Sequence, residues 1–270
     1  MSKKRDKLKI GNDEKLNQCA QLIDNARCVV ALTGAGISTS AGIPDFRGPK
    51  GLYVTKRYDP ETVFDIDHFY RDPKPFFDFT RDFINLEKTL KPTRAHFFLK
   101  ELEDSGKLKG VITQNIDSLH QRAGTKKVLE LHGGYWKSFC LDCNAEFSYE
   151  DMKTKIFKED VPHCTCGGVI KPDVAFFGEN VKYLNEAFAL AESADLFFVI
   201  GTSCVVQPAA SVPTATRGKI VIVNQTPVDL SGNVVLMVLE DIDRFFHEVS
   251  GQLKKAAMEN GEQRAEVRKY

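Results

Sequence analysis

Four apolar residues, Val29 to Leu32, run through Thr33 and then break at Gly34-Ala35-Gly36. The run has the length and composition of a short buried strand, and the chain beyond it opens toward a helix start. Two glycines just past a strand let the backbone approach a pyrophosphate, which meets free N–H groups at a helix N-terminus. The dinucleotide fingerprint would place its third glycine at position 39, where Thr39 stands; the next glycine is Gly42. Pro44-Asp45-Phe46-Arg47 follows directly, setting a rigid ring, an acid, an aromatic and a fixed cation beside a candidate phosphate site. A plain turn between strand and helix is the competing reading of these residues taken alone.

Similar apolar runs recur at residues 110–113, 128–131, 196–200, 220–223 and 234–238. Helical spacing lies between several of them, most clearly over 97–102 and 184–191, and a first helix is expected over 13–26 from Leu16, Cys19, Ala20 and Ile23. Continuous Val, Ile, Leu and Phe strands alternating with helices predict an α/β fold with a parallel sheet covered on both faces. Each of five runs ends in small or hydrogen-bonding residues: Thr33-Gly34-Ala35-Gly36, Gln114-Asn115-Ile116-Asp117, His132-Gly133-Gly134, Gly201-Thr202-Ser203 and Asn224-Gln225. Turns favour such residues anyway. Five together at the carboxyl edge of a parallel sheet point to a long polar ligand, a dinucleotide. On this pattern the sheet domain takes residues 13–48, 96–134 and 173–250. Residues 49–95, rich in Phe, Tyr, Pro and Asp, form a mostly helical cap, and 135–172 an inserted module. The charged ends, 1–12 and 254–270, are expected to be flexible.

The 37 basic and 37 acidic residues cancel, which gives no electrostatic reason to expect nucleic-acid or membrane-surface binding. No apolar stretch approaches the roughly 20 residues of a membrane-spanning helix, and the first residues lack a secretory pattern. A cytoplasmic monomer is expected, with a nuclear location as the alternative. In a reducing compartment seven cysteines serve as metal ligands or free thiols rather than disulfides. Cys140-x-x-Cys143 and Cys164-x-Cys166 make two close pairs, the pattern of a closed, structural zinc site with four thiolates. The second pair needs a tighter turn, which Gly167-Gly168 would permit, and His163 is an alternative ligand. Cys19, Cys28 and Cys204 read as inert thiols.

His132 sits at a strand end before two glycines, where an imidazole titrating near neutrality can take a proton from a sugar hydroxyl; a purely structural histidine is the alternative. Gln114, Asn115 and Asp117 offer amides and a carboxylate to ribose and carboxamide groups, while Asp117 is equally placed to cap a following helix.

In order and spacing these motifs, together with Phe176-Phe177-Gly178-Glu179 and Val223-Asn224, resemble the sirtuins, NAD-dependent protein deacylases, over roughly residues 25–245. The resemblance implies a Rossmann-type doubly wound sheet with a small inserted zinc-binding module and a helical cap module over the cleft. It implies an NAD-dependent protein lysine deacetylase, acting on acetylated protein or peptide, with NAD as co-substrate and one structural Zn2+. By position, His132 would be the general base, and Asn115 and Asp117 would orient ribose and nicotinamide. Gly34, Ala35, Gly36, Ile43, Asp45, Phe46, Arg47 and Gln114 would enclose the nicotinamide and phosphate end, with Phe46 shielding the reacting centre from water. Gly201, Thr202, Ser203, Asn224, Gln225, Asp241 and Ile242 would hold phosphate, ribose and adenine. Ala175, Phe176, Phe177, Gly178 and Glu179 would receive the acylated peptide as an added strand. Thr80 and Phe83 fall where members preferring acidic acyl groups carry a tyrosine and an arginine, so the resemblance implies acetyl or a longer neutral chain.

Mono-ADP-ribosylation uses the same residues and stands as an alternative outcome. An NAD(P)-linked oxidoreductase is disfavoured by the altered glycine spacing, and a non-catalytic zinc scaffold by the base and the amide–acid pair at the crevice.

Overall fold

The computed structural model describes residues 11–43 and 58–267, with side chains to residue 259. Six strands, β1 (Val29–Thr33), β2 (Leu108–Thr113), β3 (Val128–Glu130), β7 (Leu196–Ile200), β8 (Lys219–Asn224) and β9 (Val234–Leu239), form one parallel sheet in the order β3-β2-β1-β7-β8-β9. This is the 3-2-1-4-5-6 order of the doubly wound dinucleotide-binding fold, and its topological switch lies between β1 and β7. Register keeps the carboxyl ends level: Thr33 pairs with Thr113 and with Ile200, Thr113 with Glu130, and Ile200 with Val223. A ligand laid across that edge meets all these strand ends.

Strand side chains alternate between two helical layers. Val29 and Ala31 face α1 (Asn12–Asn25), α5 (Arg94–Asp104) and α9 (Ile242–Val267), in a core with Phe98, Phe198, Phe245 and Phe246. Val30 and Leu32 face α8 (Leu184–Glu192) and the 3-10 segment Ala209–Ala215, in a core with Phe197, Val199 and Val212. The expected first helix is present, shifted by one residue, and those around 97–102 and 184–191 are present and slightly longer. The segment after β1 is a 3-10 helix, Ala35–Ala41, rather than an α-helix. The tail expected to be flexible from residue 254 continues α9 as far as Val267.

A third core lies beside the sheet. Helices α2 (Pro60–Val63), α3 (Ile66–Arg71) and α4 (Lys74–Glu87) precede α5, with the short α6 (Leu119–Arg122) following β2. An antiparallel sheet, order β5-β4-β6, is built from β4 (Gly133–Cys140), β5 (Glu146–Ser148) and β6 (Ile170–Val174), with α7 (Tyr149–Lys158) against it. Helix α4 buries Phe76, Phe77, Thr80, Phe83 and Ile84, one stripe at helical spacing. That stripe meets Tyr135, Met152, Ile156, Ile170 and Phe176, so cap and insertion share one core. Arg81 locks the two together, its Nη1 donating to the carbonyls of Ile156, Glu159 and Asp160 at 3.0, 3.1 and 3.2 Å. No helix among the described residues is long and apolar enough to cross a membrane.

Candidate active site

Between the level strand ends and the helical cap lies a cavity of about 840 Å³, within the size range of small-molecule and cofactor sites. The two loops at the topological switch meet as backbone against backbone. Gly36 N donates to Gly201 O at 2.8 Å, and a Cβ on Gly36 would lie 2.7 Å from Gly201 Cα. A Cβ on Gly34 would lie 2.7 Å from Thr202 Cβ. The glycines expected to make room for a pyrophosphate are therefore needed first to let loop touch loop, though Gly34, Ala35 and Gly36 all line the cavity.

Asn115 and Asp117 stand on the turn after β2, both buried and both lining the cavity. Asn115 Nδ2 donates to Gly34 O and to Ser38 Oγ, each at 3.2 Å, and Ser38 Oγ donates to Asp117 Oδ2 at 2.6 Å. Asp117 Oδ1 accepts from Leu119 N at 2.9 Å. One oxygen of Asp117 thus holds the first N–H of α6, while the residue lines the cavity. Burial raises its pKa, and the bonds from Ser38, Leu119 N and Asn115 oppose that rise. Behind this chain Thr33 Oγ1 donates to Thr113 Oγ1 at 2.9 Å and lies 2.9 Å from His120 Nε2. Because the threonine proton is committed, His120 Nε2 is the donor. Its ring lies 4.6 Å from that of His96, and His120 Nδ1 and His96 Nε2 are buried without partners.

His132 lies between β3 and β4. Its Nδ1 is 2.8 Å from Gln114 O; a carbonyl only accepts, so Nδ1 carries the proton and Nε2 is left as a bare base. Burial lowers its pKa below the ordinary histidine value, against the opposing effect of the Gln114 carbonyl. Gln114 also reaches across the switch, its Nε2 donating to Thr202 Oγ1 at 3.0 Å. Gly201, Thr202, Ser203, Asn224, Gln225 and Ile242 line the far end, and Ile43 lines the cavity beyond the 3-10 helix. Asp241 corrects the expectation: it does not line the cavity, and its Oδ1 instead accepts from Arg244 N at 2.8 Å as the N-cap of α9. Asp45, Phe46 and Arg47 lie outside the described residues.

The opposite wall is the segment after β6, and Ala175, Phe176, Phe177, Gly178 and Glu179 all line the cavity. Ala175 N donates to His132 O at 2.9 Å, and Phe177 exchanges hydrogen bonds with Phe64 O (2.7 Å) and Ile66 N (3.1 Å) of the cap. Sequence reasoning did not single out Tyr58, Phe64, Phe79, Asp82 and Leu86, which line the cavity from the cap, or Ser38 as the link between Asn115 and Asp117. Phe83 lines the cavity as expected, whereas Thr80 is wholly buried beneath it, donating to Phe76 O at 2.8 Å.

Away from the cavity, the Sγ atoms of Cys140, Cys143, Cys164 and Cys166 all lie within 4.8 Å of one another. Cys140 and Cys166 are 3.4 Å apart and Cys143 and Cys164 3.7 Å, close to the ~3.8 Å edge of a tetrahedron with zinc–sulfur bonds of about 2.3 Å. Gly167 takes φ +95° and a Cβ on Gly168 would sit 2.7 Å from Cys140 Sγ, so the tight second pair depends on both glycines. His163 is exposed and outside the cluster. The donor set fits one structural zinc.

The family model described as the Sir2 family matches residues 34–208. An NAD-dependent protein deacetylase of Thermotoga maritima is 47% identical over 80% of this chain and 89% of its own. One of Sulfurisphaera tokodaii is 42% identical over 90% of this chain and 97% of its own. A Sir2 protein solved with a p53 peptide and NAD+ superposes with a TM-score of 0.81 at 42% identity, covering 88% of this chain and 98% of that one. Matched family model, relatives and fold agree with the cavity and the thiolate cluster: the chain belongs to the Sir2 family, the sirtuins.

Proposed function

We propose that this chain is an NAD-dependent protein lysine deacetylase. The acetyl group moves from the lysine side chain to the ADP-ribose part of NAD with consumption of one water, and nicotinamide, free lysine and O-acetyl-ADP-ribose leave. One observation carries the chemistry: His132 lines the cavity with its Nδ1 held 2.8 Å from Gln114 O, which puts the proton on Nδ1 and leaves Nε2 as the basic nitrogen. NAD supplies an electrophilic anomeric carbon together with its own leaving group. His132 takes the proton of a ribose hydroxyl, and burial keeps it neutral and ready to do so near pH 7. Asn115 and Asp117, held by Ser38, orient ribose and nicotinamide from one side, with Ala35 and Ile43 beside them. Gly201, Thr202, Ser203, Asn224, Gln225 and Ile242 hold the adenosine end, and residues 175–179 take the acylated peptide by main-chain pairing. As the family resemblance implies, Asp45, Phe46 and Arg47 would enclose the nicotinamide and phosphate end, with Phe46 shielding the reacting centre from water.

The cap supports a neutral acyl group: Phe79 and Phe83 line the cavity and Thr80 does not. The four cysteines hold zinc, which fixes the β4–β6 module on which α4 rests. Free thiols kept as ligands support a reducing, cytoplasmic setting.

The test follows nicotinamide release and deacetylation of an acetyl-lysine peptide together, in wild type and His132→Ala. Equal rates that both depend on His132 are expected. Nicotinamide release without deacetylation, or the appearance of NADH, would overturn the reading.

A further inference from the structure

Lys171, in β6, carries a charge outside the cavity with only 7% of its surface exposed. A buried ammonium is tolerated only where its protons find new partners. Lys171 Nζ donates to Val174 O at 2.7 Å and to Glu179 Oε2 at 2.9 Å, and it stands 4.1 Å from the centre of the Phe176 ring. The same Glu179 oxygen accepts from Phe176 N at 2.8 Å, and Glu179 N donates back to Phe176 O at 3.0 Å. All of these contacts converge on residues 174–179, the cavity wall opposite Asn115. Backbone pairing ties this wall to His132 through Ala175 and to the cap through Phe177, but the turn from Phe176 to Glu179 is closed by the lysine–glutamate clasp.

We propose that Lys171 is a positioning residue for the acylated peptide: the Lys171–Glu179 clasp closes the turn from Phe176 to Glu179 and so fixes the wall to which a peptide strand adds. The inference rests on the reading of residues 175–179 as the peptide edge. It assigns Lys171 an effect on peptide affinity and none on NAD affinity, because no clasp contact reaches the loops after β1 or β7.

The test uses the full-length zinc-loaded protein as Lys171→Met, Lys171→Arg and Glu179→Gln. Lys171→Met keeps the length and removes the charge; the peptide KM is expected to rise about tenfold, with the NAD KM within about twofold. Lys171→Arg is expected to recover most of the loss, and Glu179→Gln to fall between. Hydrogen exchange without substrate is expected to speed up over 174–179 in Lys171→Met and stay unchanged in β1 and β7. Equal rises in both KM values, no rise in either, or unchanged exchange over 174–179 would each overturn the proposal. Should Lys171→Met fail to fold, Glu179→Gln and Lys171→Arg carry the same comparison. Failure of the wild type to deacetylate any peptide would defeat the functional reading, while the exchange experiment would still decide the clasp.

Discussion

The two walls of the cavity are built in different ways. The wall formed by the loops after β1, β2 and β7 is polar and set at the strand ends: glycine against glycine at the switch, Gln114 bridging to Thr202, and Asn115, Ser38 and Asp117 in one hydrogen-bonded chain. The wall formed by the cap and residues 174–179 is made of side chains distant in sequence, with Phe64, Phe69 and Phe76 each packed on Phe176 within 6.0 Å. It depends on a module tied down by thiolates and by Arg81. The first wall inherits its precision from the register of the parallel sheet. The second must be assembled by tertiary contacts, and those contacts are open to independent tuning.

The largest effect should come where the walls meet. His132→Ala is expected to lower kcat/KM for the acetyl peptide by about 10²–10⁴-fold, the usual yield of a positioned base, with NAD affinity by calorimetry within about threefold. Because burial holds the His132 pKa below the ordinary value, the wild-type acid limb should fall below about pH 6.5. A limb above that value would contradict the burial argument. Gly201→Ala attacks the strand-end wall alone: Gly201 has φ +62° and its Cβ would lie 2.4 Å from Ile37 N. A loss of about 2–4 kcal/mol in denaturant unfolding is expected, with a raised NAD KM. Arg81→Met attacks the other wall by removing three carbonyl contacts. About 1–2 kcal/mol should be lost, and here the peptide KM should rise rather than the NAD KM.

The smallest effect concerns acid stability. Burial lowers the His120 pKa to about 3 and that of His96 well below the ordinary value, burial again being the main cause. The unfolded chain therefore binds protons that the folded one refuses. Stability is full above about pH 6.5 and is lost as the pH falls toward the folded values. For His120 alone this is on the order of 1 kcal/mol at pH 5.5 relative to pH 8. His120→Gln, which keeps a donor toward Thr33, should flatten that part of the curve in thermal melts at stepped pH.

This division also explains what the sequence disclosed. Strand-end motifs such as Gly34-Ala35-Gly36 and Gly201-Thr202-Ser203 are contiguous, and parallel register alone brings them together, so sheet and dinucleotide edge were legible. The four thiolates were legible because close pairs of one ligand type leave few other uses. The phenylalanines of residues 64–83 identified a cap, but periodicity does not say which of them turn toward a cavity, so Phe64 and Phe79 went unnamed. Thr80 could not be placed without the helix axis, which turns it into the core beside Tyr135. An aspartate before a helix reads equally as cap and as ligand, and Asp241 is the cap. Lys171 gave no signal at all, since a lysine in a β-strand is ordinarily an edge residue in water.

The most direct test of separately built walls is hydrogen exchange on the zinc-loaded and zinc-stripped protein. Removing zinc should abolish protection in β4, β6, α4 and α7 while β1, β2, β7 and β8 keep most of theirs. Loss of protection through the parallel sheet to the same degree would show one cooperative unit and contradict the account.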